Sequence, residues 1–211
     1  MLAVLLSLIL PDPTQSTPQD ICIERPALCR TLQAYDLQSE GRSVIVQGGD
    51  LVPWQDNNDL TLFVGESVVL DVEGPKAVVL SFGRADAVLD DARARTLTRM
   101  VAGADDELPR AHTGDHLLLD GPPSRLRGSF RQVAGADDML LTVENGYEGM
   151  LTYEAAMMVI GEQGGQWVRT SVCTVPPGIY AMEHWPHAIV ALSLFSMEVG
   201  PKGEVGEVVC R

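Results

Sequence analysis

Short runs rich in Val, Leu and Phe, broken at close intervals by Gly, Pro, Asn and Asp, restrict the fold of this chain more than any other feature. Residues 43–47, 60–64, 67–72 and 76–82 follow the pattern in the first half, and 116–119, 125–133, 139–144, 150–160, 166–173, 188–199 and 204–210 follow it in the second. Such runs suit a pleated, half-buried strand, and the residues between them supply the turns. About eleven strands at this spacing bury their apolar faces by stacking two sheets. The pattern therefore predicts a mainly β chain, an antiparallel β-sandwich in immunoglobulin-like style with one or two short helices. Ile189 to Val199 is apolar at nearly every position until Glu198, which predicts a central strand covered on both faces.

Two segments carry helical signals instead. Pro26 suits a first helical turn, and Leu28, Leu32 and Tyr35 follow at spacings of four and three, predicting a helix of about ten residues pinned by Cys29. Between Asp86 and Gly103 the acids Asp86, Asp90 and Asp91 come early and Arg93, Arg95 and Arg99 late, the order that complements a helix dipole. A helix is expected over 87–94, while the alternation of Arg95 to Met100 leaves the remainder open between helix and strand.

Met1 is followed by an apolar run to Leu10, interrupted by Ser7, and then by the polar, turn-forming residues Pro11 to Gln19. This reads as the apolar core of a secretory signal peptide over 1–19. The run is well short of the roughly 20 residues that span a bilayer, so membrane insertion is not expected. The remainder divides into a disulfide-pinned N-terminal helix segment, 20–36, and a single β-sandwich domain, 37–211. Export makes disulfides available to the four cysteines. Three pairings are open, and spacing favours Cys22 with Cys29, closing a small loop, and Cys173 with Cys210, tying a C-terminal strand to an earlier one. A periplasmic or secreted location follows.

The formal net charge of −14 becomes −13 once Asp12 leaves with the signal segment, and it repels nucleic acid and anionic lipid. Eight arginines cluster between Arg84 and Arg131, but eight carboxylates lie among them and Phe130 is the lone aromatic. That is a mixed charged surface, not a nucleic-acid interface.

The chain lacks a G-x-S-x-G elbow, a phosphate-binding loop, a dinucleotide fingerprint and an H-E-x-x-H pair. An enzyme would lack nucleophile and cofactor motif alike, and no cofactor is predicted. The histidines are the one suggestive distribution: His112 and His116 flank Asp115, and His184 and His187 follow Glu183. Imidazole and carboxylate are ligands that Zn and Cu accept, so the four histidines form a candidate metal site if the two segments meet. A narrower version places copper on Cys173, His184, His187 and Met197 in blue-copper order. Met157, Met158, Met182 and Met197 read as adaptable core filling. Trp185, before Pro186, reads as an anchor and also as a candidate recognition residue. Val101 to Asp106 recurs as Val133 to Asp138, which reads as two similar turns, with too few oxygens for a calcium loop.

Leu141-Thr142-Val143-Glu144-Asn145-Gly146, Leu151-Thr152-Tyr153-Glu154-Ala155, Cys173-Thr174-Val175-Pro176-Pro177-Gly178 and Glu183-His184-Trp185-Pro186 together resemble the C-terminal half of a family of uncharacterised exported bacterial proteins. The resemblance implies export and a β-rich fold, and it carries over no functional residue. The expectation is a non-enzymatic envelope protein that binds an envelope protein or surface component, the alternative being a periplasmic Zn- or Cu-binding protein that uses the paired histidines.

Overall fold

The computed structural model describes residues 22–56, 59–73, 76–84, 88–89, 125–161, 164–203 and 206–211. A 3₁₀ turn, Pro26–Leu28, leads into β1 (Cys29–Thr31), β2 (Tyr35–Ser39), β3 (Arg42–Val46), β4 (Leu51–Pro53), β5 (Gln55–Asp56), β6 (Asp59–Phe63), β7 (Glu66–Glu73), β8 (Lys76–Arg84) and β9 (Val88–Leu89). The second half supplies β10 (Leu126–Val133), β11 (Met139–Asn145), β12 (Leu151–Gly161), β13 (Gly164–Thr170), β14 (Tyr180–Trp185) and β15 (Ala191–Val199).

These strands form two main sheets. The first runs β14-β11-β10-β7-β8, with β9 parallel to the end of β10, and the second runs β13-β12-β15-β6-β5. Strands alternate apolar residues onto facing surfaces, so Leu70, Phe130, Leu141 and Val143 of the first sheet meet Leu62, Leu151, Leu192 and Leu194 of the second in one core. The sandwich expected from the strand pattern is the observed architecture. Both disulfides lie outside the seam between the main sheets: Cys22–Cys29 closes the N-terminal turn, and Cys173–Cys210 joins an isolated bridge. The inter-sheet disulfide of immunoglobulin domains has no counterpart among the described residues.

Polar side chains fasten the connections. Gly65, with φ of 83°, turns the chain from β6 into β7, and its N–H donates to the Phe130 carbonyl at 2.8 Å. Asn145, fully buried at the exit of β11, donates through Nδ2 to the carbonyls of Gly149 and Val175, both at 2.9 Å, and accepts from the Tyr147 N–H. A Cβ on Gly149 would fall 2.0 Å from the Gly200 oxygen, so this crossover requires glycine. Gln132 imitates a strand neighbour, giving one hydrogen bond to Gln38 and taking one from it, both at 2.8 Å. That pairing holds the β2–β3 ribbon to the first sheet.

Several sequence expectations need correction. The predicted N-terminal helix is a 3₁₀ turn followed by β1 and β2, and only residues 22–24 before it are helical. Leu32 and Tyr35 match helical spacing, yet both are buried from extended backbone because the Cys22–Cys29 loop and Pro26 end the turn early. Val88 and Leu89, inside the expected helix 87–94, form a strand against β10, and the rest of that segment lies outside the described residues. So does the strand expected over 116–119. No strand spans 204–210 among the described residues, where backbone bonds tie Val209 and Arg211 to the 172–174 segment. β15 is central to its sheet, as expected, but Ser196 and Glu198 on its outer face are exposed, so it is not covered on both sides. The repeated Val133–Asp138 segment is the β10–β11 turn, closed by Val133 N–H to the Asp138 carbonyl.

Candidate functional site

β14 places Ala181, Glu183 and Trp185 toward the second sheet, in register with Val143, Leu141 and Met139 of β11. Trp185 is 6 % exposed and its indole N–H donates to Thr170 Oγ1 at 2.7 Å. The candidate recognition role for Trp185 is thereby corrected, because its ring is a buried anchor with its polar tip satisfied inside the fold. Glu183 Oε1 accepts the Cys173 N–H at 2.7 Å. Burial pushes the Glu183 carboxyl above its ordinary value, opposed by that hydrogen bond and by Tyr153. The Tyr153 hydroxyl, itself pushed up by burial and by Glu183, lies beside this carboxylate without meeting hydrogen-bond geometry. The pair sits behind the Cys173–Cys210 disulfide, with no nucleophile adjoining it among the described residues.

The two described histidines serve different sheets. His184 Nε2 lies 2.5 Å from Asp138 Oδ1 at the β10–β11 turn, whereas His187 Nε2 lies 3.4 Å from Met157 Sδ on β12. His112 and His116 lie outside the described residues. Among the described residues no three His, Cys, Asp or Glu side chains converge on a point that would hold a metal. The blue-copper arrangement is overturned: Cys173 is bonded to Cys210 and offers no thiolate, and Met197 is 2 % exposed within the core.

The N-terminal segment is clasped by a group that sequence reading missed. Arg30 Nε and Nη2 meet the two oxygens of Glu66 at 2.7 Å, while Nη1 and Nη2 donate to the carbonyls of Pro53 and Thr61. Its guanidinium lies 5.3 Å from the Phe63 ring and 5.1 Å from the Phe82 ring. Every contact is internal, so the cluster is structural.

β13 is different. Among the described residues it pairs only with β12, through seven unbroken partners from Ala155↔Thr170 to Gly161↔Gly164. Six of its seven residues are exposed, among them Trp167 at 49 % and Val168 at 42 %, with Ile160 of β12 at 44 % beside them. At the C-terminal end of β13 a groove of about 300 Å³ is lined by Arg169, Thr170, Phe195 and Arg211. Arg169 stacks 5.6 Å from Phe195 and reaches Glu154 at 3.4 Å, so the groove's charge is largely answered from within. The strand was predicted over 166–173, but its position at a sheet edge follows from strand order, for which the sequence holds no local signal.

No family model, curated protein or solved structure matches this chain.

Proposed function

We propose that this chain is a non-enzymatic protein of the cell envelope, periplasmic or secreted, that binds a protein partner through the β13 edge. Trp167 and Ile160, exposed on one face of a sheet edge, with Val168 exposed on its other face, carry the reading. A half-exposed Trp flanked by exposed aliphatics is the composition of an interface centre. A bare edge strand also offers backbone groups to a partner. Two disulfides suit an oxidising compartment, and among the described residues no helix is long and apolar enough to cross a membrane.

Site-specific photocrosslinking in the producing cells tests the reading. A photoreactive residue at position 168 is expected to give a discrete protein adduct, while one at Ile45, exposed on β3, is expected to give none. Absence of an adduct at 168, or equal labelling at both positions, refutes it.

A further inference from the structure

The β13 edge has an internal symmetry that bears on what docks there. On β12 the Met158 carbonyl accepts from Val190, and just before the strand the Met150 carbonyl accepts from Gly200, whereas Leu151 exchanges both its bonds with Val175. Backbone groups alternate sides along a strand, so odd-numbered β12 residues face β13. Their partners Gln166, Val168 and Thr170 thus turn their backbone groups inward, and Gly165, Trp167 and Arg169 turn theirs out. None of these three outward residues has a backbone hydrogen bond among the described residues. Trp167 is the midpoint of Gly164–Thr170, and the outward residues are spaced evenly about it.

We infer that the β13 edge pairs with the β13 edge of a second copy of this chain, antiparallel about a two-fold axis at Trp167, joining the two five-stranded sheets into one. This rests on the partner-binding reading above and names the partner. A two-fold axis through an antiparallel seam passes between two like residues, and centring it on Trp167, the midpoint of the strand, overlaps all seven residues of each copy and lets the outward groups of Gly165, Trp167 and Arg169 all pair. The register sets Trp167 beside Trp167 of the second copy and Arg169 opposite Gly165. No like charges then face each other across the seam, because the two arginines stand about 13 Å apart. Gly165 has no side chain to crowd the incoming arginine, and Met158 already lies within 3.3 Å of where a Cβ would stand.

The other edges of the two main sheets are guarded. β5 has two residues, β8 carries a bulge opposite Val69 and Leu70, and β14 lies between Pro176-Pro177 and Pro186. These are the devices by which sheets avoid edge pairing. β13 has neither proline, lysine nor bulge.

Sedimentation equilibrium of the full mature chain, from about 5 to 200 µM, should show a monomer–dimer equilibrium with a dissociation constant on the order of 10 µM. Each copy carries a large negative charge, so raising NaCl from about 0.05 to 0.5 M should tighten the dimer several-fold by screening. Trp167→Ala removes the central side chain. Arg169→Pro removes an outward N–H without touching the bonds to β12. Each should weaken the dimer at least about tenfold while leaving the melting transition in place. Folded variants that dimerise like the parent overturn the inference. Photocrosslinking of the purified chain at position 168 gives a readout independent of the variants, and it should yield a product of two chains. If the purified chain stays monomeric and uncrosslinked while cells give an adduct with another protein, the second copy is wrong and the partner reading stands. If neither gives an adduct, both fail.

Discussion

The Arg30–Glu66 clasp sets up a sharp test of how the N-terminal segment is held. Both side chains are more than nine-tenths buried. Arg30→Met would leave the Glu66 carboxylate in the interior with the Phe63 N–H as its remaining donor, a loss of about 4 kcal/mol by comparison with other broken buried pairs. Glu66→Leu is milder, about 3 kcal/mol, since the guanidinium keeps the Pro53 and Thr61 carbonyls and two aromatic faces. The double variant strands no charge. It leaves two carbonyls and one N–H short of a partner at about 1 kcal/mol each, partly offset by the added apolar contact, for a net loss of about 2 kcal/mol. Urea denaturation of the four proteins should thus give a coupling energy of about 5 kcal/mol, above the range most contacting residues show, because each single variant strands a buried charge and the double variant strands none. Additivity of the single losses to within about 0.5 kcal/mol would refute the reasoning.

Reduction-proof variants should rank the disulfides. Replacing Cys173 and Cys210, 37 residues apart, is expected to cost about 4 kcal/mol, and replacing Cys22 and Cys29, 7 apart, about 2.5 kcal/mol; guanidinium melts that reverse the order would show that packing, not loop closure, dominates. Glu183 has its pKa raised in the fold by burial, so its stabilising contribution is complete below the unfolded value near 4.3 and is lost as pH rises through the higher folded value. Glu183→Gln should therefore gain stability relative to the parent as pH rises from about 4 to 8, and a stability difference flat across that range would count against it. Asn145→Ala should cost about 2 kcal/mol by stranding the Gly149 carbonyl and the Tyr147 N–H, while the Val175 carbonyl keeps the Leu151 N–H, measured as a shift in denaturation midpoint; a change under about 1 kcal/mol would mean that water replaces the amide. Trp185→Phe should lose about 1 kcal/mol with its bond to Thr170, and no loss would show that Thr170 finds another donor.

Where the sequence succeeded, the signal was local. β6, β7, β10, β11 and β12 read directly from short aliphatic runs because each sends apolar residues into the core between the sheets. β14 was missed. Its inner face carries Ala181, Glu183 and Trp185 and its outer face Tyr180, Met182 and His184, so polarity does not alternate, and the flanking prolines read as turns. Leu28, Leu32 and Tyr35 failed in the opposite sense, since helical spacing arose by coincidence in a chain bent by a disulfide. The disulfides were legible because loop length separates one pairing from the others. Long-range polar pairs were not: Arg30 and Glu66 are 36 residues apart, and no spacing rule links them. The same holds for His184, whose partner Asp138 was singled out in the sequence for a turn.

The cost of ordering a strand before it binds decides whether an exposed edge is useful or merely hazardous. From the last residue of β13 onward the chain is held by five contacts from three segments: Trp185 on Thr170, Arg211 on Val172, Glu183 on Cys173, Val209 on Thr174 and Leu151 on Val175. The Cys173–Cys210 bond closes that set covalently. None of these contacts uses the outward groups of Gly165, Trp167 or Arg169. The polar chemistry of this region, including the buried Glu183 and the Trp185 anchor, is thus spent on fixing the end of a strand whose outer edge is left open. A loop in this position would lose backbone freedom on association, whereas a strand anchored in this way has already lost it during folding. Rigidity here is the property expected of a surface kept for a partner, and it lowers the entropic cost of the edge pairing proposed at Trp167.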